Sequence, residues 1–235
     1  RKVDISMQRS SLHNPYPVIE KDGVLSFGGN QAWSDSAVMR KCGCGVIGGT
    51  DLLLYLSLHK DICRTELFQE AYLENGILEL PEYMSYVNYF RKKYLPVIPH
   101  FGMAGWMLVL GLNRYFRHER IRLRAAFGVL PRNLWVRISA MLAHDIPVIL
   151  LVGPNFPFVW GKHRLNMYHR SPEGEYSPSC QIKAHFVTVT GMDDTWMRVS
   201  SWGKEYYINR QEYVNYVKKH SSFLISNICY IKSRK

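Results

Sequence analysis

The sequence predicts an α+β fold in which helices come first and a mostly antiparallel sheet follows. Three observations carry this. Apolar positions recur at helical spacing between residues 41 and 145. From residue 146 onward the texture changes to short runs rich in β-branched residues, bounded by Pro and Gly. No internal repeat interrupts that order. A chain of 235 residues that is 47% hydrophobic can fill one core, so the segregation reads as a single domain with a helical half and a sheet half.

Residues 1–40 form an N-terminal loop region, because "NPYP", "DGVLSFGGN" and "SDS" are turn chemistry at spacings too short for long elements. In "KCGCGVIGGTDLLLYLSLHK", Lys41 to Lys60, the residues Leu52, Leu53, Leu54, Tyr55, Leu56 and Leu58 would be apolar on every face of a helix. Such a helix is buried, and this one is the central helix. Helical spacing predicts further helices over 65–75, 82–95 and 102–117, separated by Gly76 with Pro81 and by Pro96 with Pro99. "PRNLWVRISAMLAHD" adds another, opened by Pro131 and striped by Leu134, Ile138, Met141 and Leu142. "IPVILLVGPNF" then reads as a buried strand, followed by strands in "KAHFVTVTGMDD", "TWMRVSSWG" and "KEYYIN". A short helix in "RQEYVNYVKK" and a strand in "SFLISNICYIK" complete the sheet half, 146–235, against the mainly helical 41–145.

The longest apolar runs fall well short of the roughly 20 residues that span a bilayer, so no membrane span is expected and the protein reads as soluble. No export signal opens the chain, which leaves the compartment open. Five cysteines, an odd number at low density, argue against a disulfide scaffold and leave at least one free thiol. The net charge of +11 is uneven: residues 1–90 carry −3, residues 91–137 carry +9 and residues 138–235 carry +5. The densest piece, "NRYFRHERIRLRAAF", matches no nucleic-acid motif, so no specific nucleic-acid partner is expected. If it lines a cleft, through Arg120, Arg122 and Arg124, it calls for acidic groups in a substrate.

Gly43 to Gly48 satisfy the G-x-G-x-x-G pattern of a dinucleotide site, but the context fails. "WSDSAVMRKC" before it is too polar for a central parallel strand, and no alternation of strand and helix follows. The cysteine in the same loop fits its context better. A thiol at a helix N-terminus meets the partial positive charge of unpaired amides, which favours thiolate. Cys44, at the glycine turn that opens the helix, is the better candidate than Cys42, which reads as a small residue packed under the loop. A metal site would need more Cys or His at short spacing than Cys63 and His59 supply. Of the nine histidines, His185 stands apart because it begins the alternating run "HFVTVTG", where a sheet would hold it rigidly against whatever it packs on. The sheet must pack on the central helix, which would bring Cys44 and His185 together.

The order of "NQAW", "GCGVIGGTDLLLYL", "HDIPVILLV", "AHFVTVTGMDD" and "WMRVSSWGKEYYI", from Asn30 to about Ile208, resembles the papain-like cysteine peptidases and, within them, the bacterial C39-like group. The resemblance implies a thiol protease-like hydrolase acting on a peptide or amide bond, with a peptide or protein as substrate partner and no cofactor. It makes Cys44 the nucleophile and His185 its general base and later general acid. Gln31 would donate to the oxyanion beside the backbone N–H of Cys44, although 13 residues separate the two, more than is usual in that family. The sequence departs at the third catalytic position: the family orients its histidine with Asn or Asp, whereas "VSSWG" places Ser200 there, with Asp193 and Asp194 in a hairpin turn as alternatives. A serine holds no charge and stabilises imidazolium less. That departure also admits a catalytically impaired binding module of the same fold, and the nucleophilic step is shared with amidases and transpeptidases.

Overall fold

The computed structural model describes residues 9–73 and 77–234. Residues 1–8 of the N-terminal loop region, Gly76 and the last two residues of the helix expected over 65–75 lie outside the described residues. In chain order the elements are β1 (Ser10–Ser11), β2 (Val18–Lys21), β3 (Val24–Leu25), α1 (Ala37–Cys42), α2 (Cys44–His59), α3 (Gln69–Leu73), β4 (Ile77–Glu79), α4 (Leu80–Lys93) and α5 (Gly105–His118). They continue with β5 (Leu123–Phe127), α6 (Leu134–Ala143), β6 (Val148–Val152), β7 (Leu165–Arg170), β8 (Tyr176–Ile182), β9 (His185–Met192), β10 (Trp196–Ser201), β11 (Lys204–Asn209), α7 (Arg210–His220) and β12 (Ile228–Ser233). The architecture is α+β.

Among the described residues one large antiparallel sheet runs in the order β5-β12-β6-β9-β10-β11-β7-β8, with β1 added at the far end of β9. A small second sheet joins β3, β2 and β4. Strands β6 and β9 are buried along their whole length, because helices cover both faces of the sheet there. Period-2 alternation divides their side chains. Ile149, Leu151 and Phe186 join a core with Leu52, Leu54 and Leu56 of α2, Tyr83 and Phe90 of α4 and Leu108 of α5. Val148, Leu150, Val152, Val187 and Val189 join the opposite core with Ile138 and Leu142 of α6 and Tyr213 and Val217 of α7.

Helix α2 is buried from Gly45 to Ser57, which is why its residues show no polar face. Its first turn lies so close to the sheet that a Cβ on Gly45 would stand 3.2 Å from the Phe186 ring and from Met103 Sδ. Two features differ from the sequence reading. Strand β5 lies inside the span read as mainly helical, where the density of arginines hid a clean alternation of buried Leu123 and Ala125 with exposed Arg122 and Arg124. The β7–β8 hairpin, too polar to signal a strand, extends the sheet beyond β11.

Candidate functional site

The first turn of α2 and the start of β9 meet at a pocket of about 20 Å³, room for roughly one water. Cys44, the first residue of α2, and His185, the first of β9, both line it, with Gln31, Gly48, Asp51, Ser201 and Trp202. Gly43 caps α2 without a side-chain hydrogen bond, so the N–H groups of Cys44 and Gly45 stay directed at the thiol, joined by the N–H of Phe186 from β9.

Burial decides the protonation of both groups. It pushes the Cys44 thiol above its ordinary range, and the three N–H groups pull it back only in part. It pushes His185 down to about 4. Both shifts favour a thiol and a neutral imidazole, against the thiolate that a helix N-terminus favours. Desolvation outweighs the three N–H groups here. Trp202 contributes to that dryness, stacking on the His185 ring with centroids 4.6 Å apart.

His185 Nε2 lies 2.7 Å from Ser201 Oγ. Ser200, expected in that place, donates instead to the Phe27 carbonyl at 2.8 Å. Strand alternation explains the one-residue correction: Ser200 pairs with Thr188, so Ser201 falls opposite Val187 on the face that His185 shares. Asp193 stays in the β9–β10 turn, where Oδ1 accepts from Thr195 and Trp196 N–H groups. Gln31 sits in a short turn capped by the Asn30 side chain and donates from Nε2 to the Arg40 carbonyl at 2.8 Å, using one of its two amide hydrogens.

The residue that sequence reasoning passed over is Asp51. It lies two turns from Cys44 on the same face of α2 and accepts from Tyr83 Oη at 2.7 Å, the Gly29 N–H at 3.0 Å and Tyr16 Oη at 3.3 Å. Burial raises its carboxyl to about 6, against the pull of those three donors. The signal was present: a lone acid in an otherwise apolar helix must be paired within the core. Through Gly29, Asp51 fixes the segment that carries Gln31. The other end of that clamp is the β10–β11 turn, where Asn30 Nδ2 donates to the Trp202 carbonyl and Gly203 N–H to the Gly29 carbonyl.

The basic segment lies elsewhere. Arg120, Arg122 and Arg124 follow α5 and run along β5, an outer strand separated from β9 by β12 and β6, and none lines the pocket. Arg117, Arg120, Arg122 and Arg234 bound a concavity of their own. The condition for an acidic substrate is not met. Cys42 ends α1 partly exposed, and no cluster of three or more His, Cys, Asp or Glu that could hold a metal occurs among the described residues. No helix among them is long and apolar enough to cross a membrane.

Comparison of the chain with protein-family models, with curated proteins and with solved structures gives no match.

Proposed function

We propose that the protein is a papain-like thiol hydrolase or acyl transferase acting on a peptide or amide bond. The observation that carries this reading is the convergence of Cys44, at the open N-terminus of a buried helix, with His185, at the head of a central strand, on one pocket. In the reaction the Cys44 proton passes to His185 Nδ1, since Nε2 is engaged with Ser201. The sulfur attacks the carbonyl carbon, and the oxyanion is met by the N–H groups of the first turn of α2 and the remaining amide hydrogen of Gln31. His185 then returns its proton to the leaving amine as the C–N bond breaks, leaving a thioester that water or another amine resolves with His185 as base. A panel of peptide and acyl amides, with Cys44→Ala and His185→Ala as controls, tests the reading. Turnover lost in both variants is expected; turnover that survives Cys44→Ala would overturn it.

A specific observation also supports a second reading, a binding module that retains the arrangement without the chemistry: the pocket holds little more than one water, and the partner of His185 is an uncharged serine. Electrophilic peptides separate the two, because the hydrolase is alkylated at Cys44 and the binding module is not.

A further inference from the structure

The loop between β6 and β7 shows large apolar side chains to solvent. Phe156, Phe158, Val159 and Trp160 are between 52% and 76% exposed, and Leu224, in the segment after α7, reaches 88%. These are not the products of a slack chain. Buried Asn155 donates from Nδ2 to the carbonyls of His163 and His220 and to Tyr216 Oη, and Phe156 N–H donates to the His220 carbonyl at 3.1 Å. Lys183 Nζ grips the carbonyls of Gly161 at 2.6 Å and Val159 at 3.1 Å, and His163 stacks on His220 with centroids 3.6 Å apart. A frame of polar and backbone groups thus holds the apolar side chains outward, and the same frame ties the loop to the segment that carries Leu224.

The charge on the segments that carry these side chains has one sign. Between Asp145 and Glu173 the sequence contains no acidic residue, and none follows Glu212. Lys162, Arg164, Lys218 and Lys219 are exposed on those stretches. Exposed aromatics on segments whose only charges are cations match the chemistry of a membrane–water interface, where aromatic rings settle at headgroup depth and cations meet anionic lipid. A protein partner would be served by charges of mixed sign; the charges on these segments are all positive.

We propose that the Phe156–Trp160 loop, with Leu224, docks the protein peripherally on an anionic lipid surface. Phe156 follows Val152, which pairs with His185, by four residues, so docking would bring the His185 end of the sheet toward the bilayer. The proposal stands apart from the chemistry assigned to Cys44.

Vesicle sedimentation of the full chain tests it, with phosphatidylcholine alone against phosphatidylcholine carrying phosphatidylglycerol, at low and at physiological salt. Binding to the anionic vesicles should exceed that to the neutral ones by at least about tenfold, since each cation near such a surface contributes roughly fivefold. Phe158→Ser with Trp160→Ser should remove binding at both salt concentrations, and Lys162→Glu with Arg164→Glu should remove the anionic preference. All four side chains are exposed, so the variants keep the fold, which unchanged alkylation of Cys44 would verify. Leu224→Ser gives an independent variant from a separate segment and should weaken binding in the same direction. No sedimentation with anionic vesicles at low salt would overturn the proposal. So would binding indifferent to the Phe158 and Trp160 changes, or binding lost only on Arg122→Glu with Arg234→Glu, which would place the contact at the arginine-lined concavity.

Discussion

Ser201 Oγ lies 2.7 Å from His185 Nε2, within hydrogen-bond reach of the imidazole and at the ring nitrogen other than Nδ1, to which the Cys44 chemistry is assigned. Ser201→Ala should lower the rate of any Cys44-dependent turnover by about tenfold, because the ring loses its orienting bond but the oxyanion donors stay in place. Ser200→Ala, which removes only the bond to the Phe27 carbonyl, should affect stability more than rate. Ser201→Asp, by placing a carboxylate beside the ring, should raise the His185 pKa, read by NMR titration of the imidazole. A Ser200→Ala variant slower than Ser201→Ala would contradict this assignment.

Trp202 keeps His185 dry. Trp202→Ala should let water reach the ring, move its pKa from about 4 toward the ordinary 6.5, and speed iodoacetamide alkylation of Cys44 at neutral pH by about tenfold. Mass spectrometry of the alkylated peptides reads the outcome cysteine by cysteine. In the unaltered protein the Cys44 profile should lie above that of an ordinary thiol, since burial raises it.

His185 and Asp51 should oppose each other in the pH dependence of stability. Unfolded, the imidazole takes its proton near 6.5; folded, only near 4. Between those values the unfolded state binds more protons, so the His185 contribution falls as pH falls from 6.5 to 4. The Asp51 carboxyl loses its proton near 3.8 unfolded and about 6 folded, so the folded state binds more protons in that window and the Asp51 contribution falls as pH rises. Each is worth up to about 3 kcal/mol. Relative to the unaltered protein, urea unfolding of Asp51→Asn should gain stability as pH rises from 4 to 6, and His185→Gln should lose it. Difference slopes of the same sign in both variants would refute this.

Gly28 is confined from every side. Its φ of +75° lies in the left-handed region, and a Cβ there would stand 2.5 Å from Ser200 Oγ and 2.7 Å from Asp51 Oδ2. Gly28→Ala should cost about 2 kcal/mol or more in thermal or chemical unfolding. Gly48→Ala, whose Cβ would meet Thr188 Oγ1 at 3.6 Å, an ordinary contact, should cost about 1 kcal/mol or less.

Much of this arrangement is legible in the sequence, and for definite reasons. The apolar run of α2 and the alternation beginning at His185 are long and periodic, so they identify both elements that bear Cys44 and His185. What stayed hidden turns on single-residue register or on charge. Ser201 rather than Ser200 faces His185 because of a pairing that only the sheet defines, between Ser200 and Thr188. The β5 alternation was overwritten by Arg122 and Arg124, whose positions on an outer strand leave them free to be charged. The glycine turn and helix N-terminus mark Cys44, whereas the groups that desolvate it, in β9 and beside Trp202, lie more than 140 positions away.

Strands β6 and β9 send alternate side chains into both hydrophobic interiors, Ile149, Leu151 and Phe186 to one and Val148, Leu150, Val152, Val187 and Val189 to the other. Neither interior can lose the lining that these two strands give it without opening the other. A cut on either side of these strands should therefore leave no fragment with a filled centre.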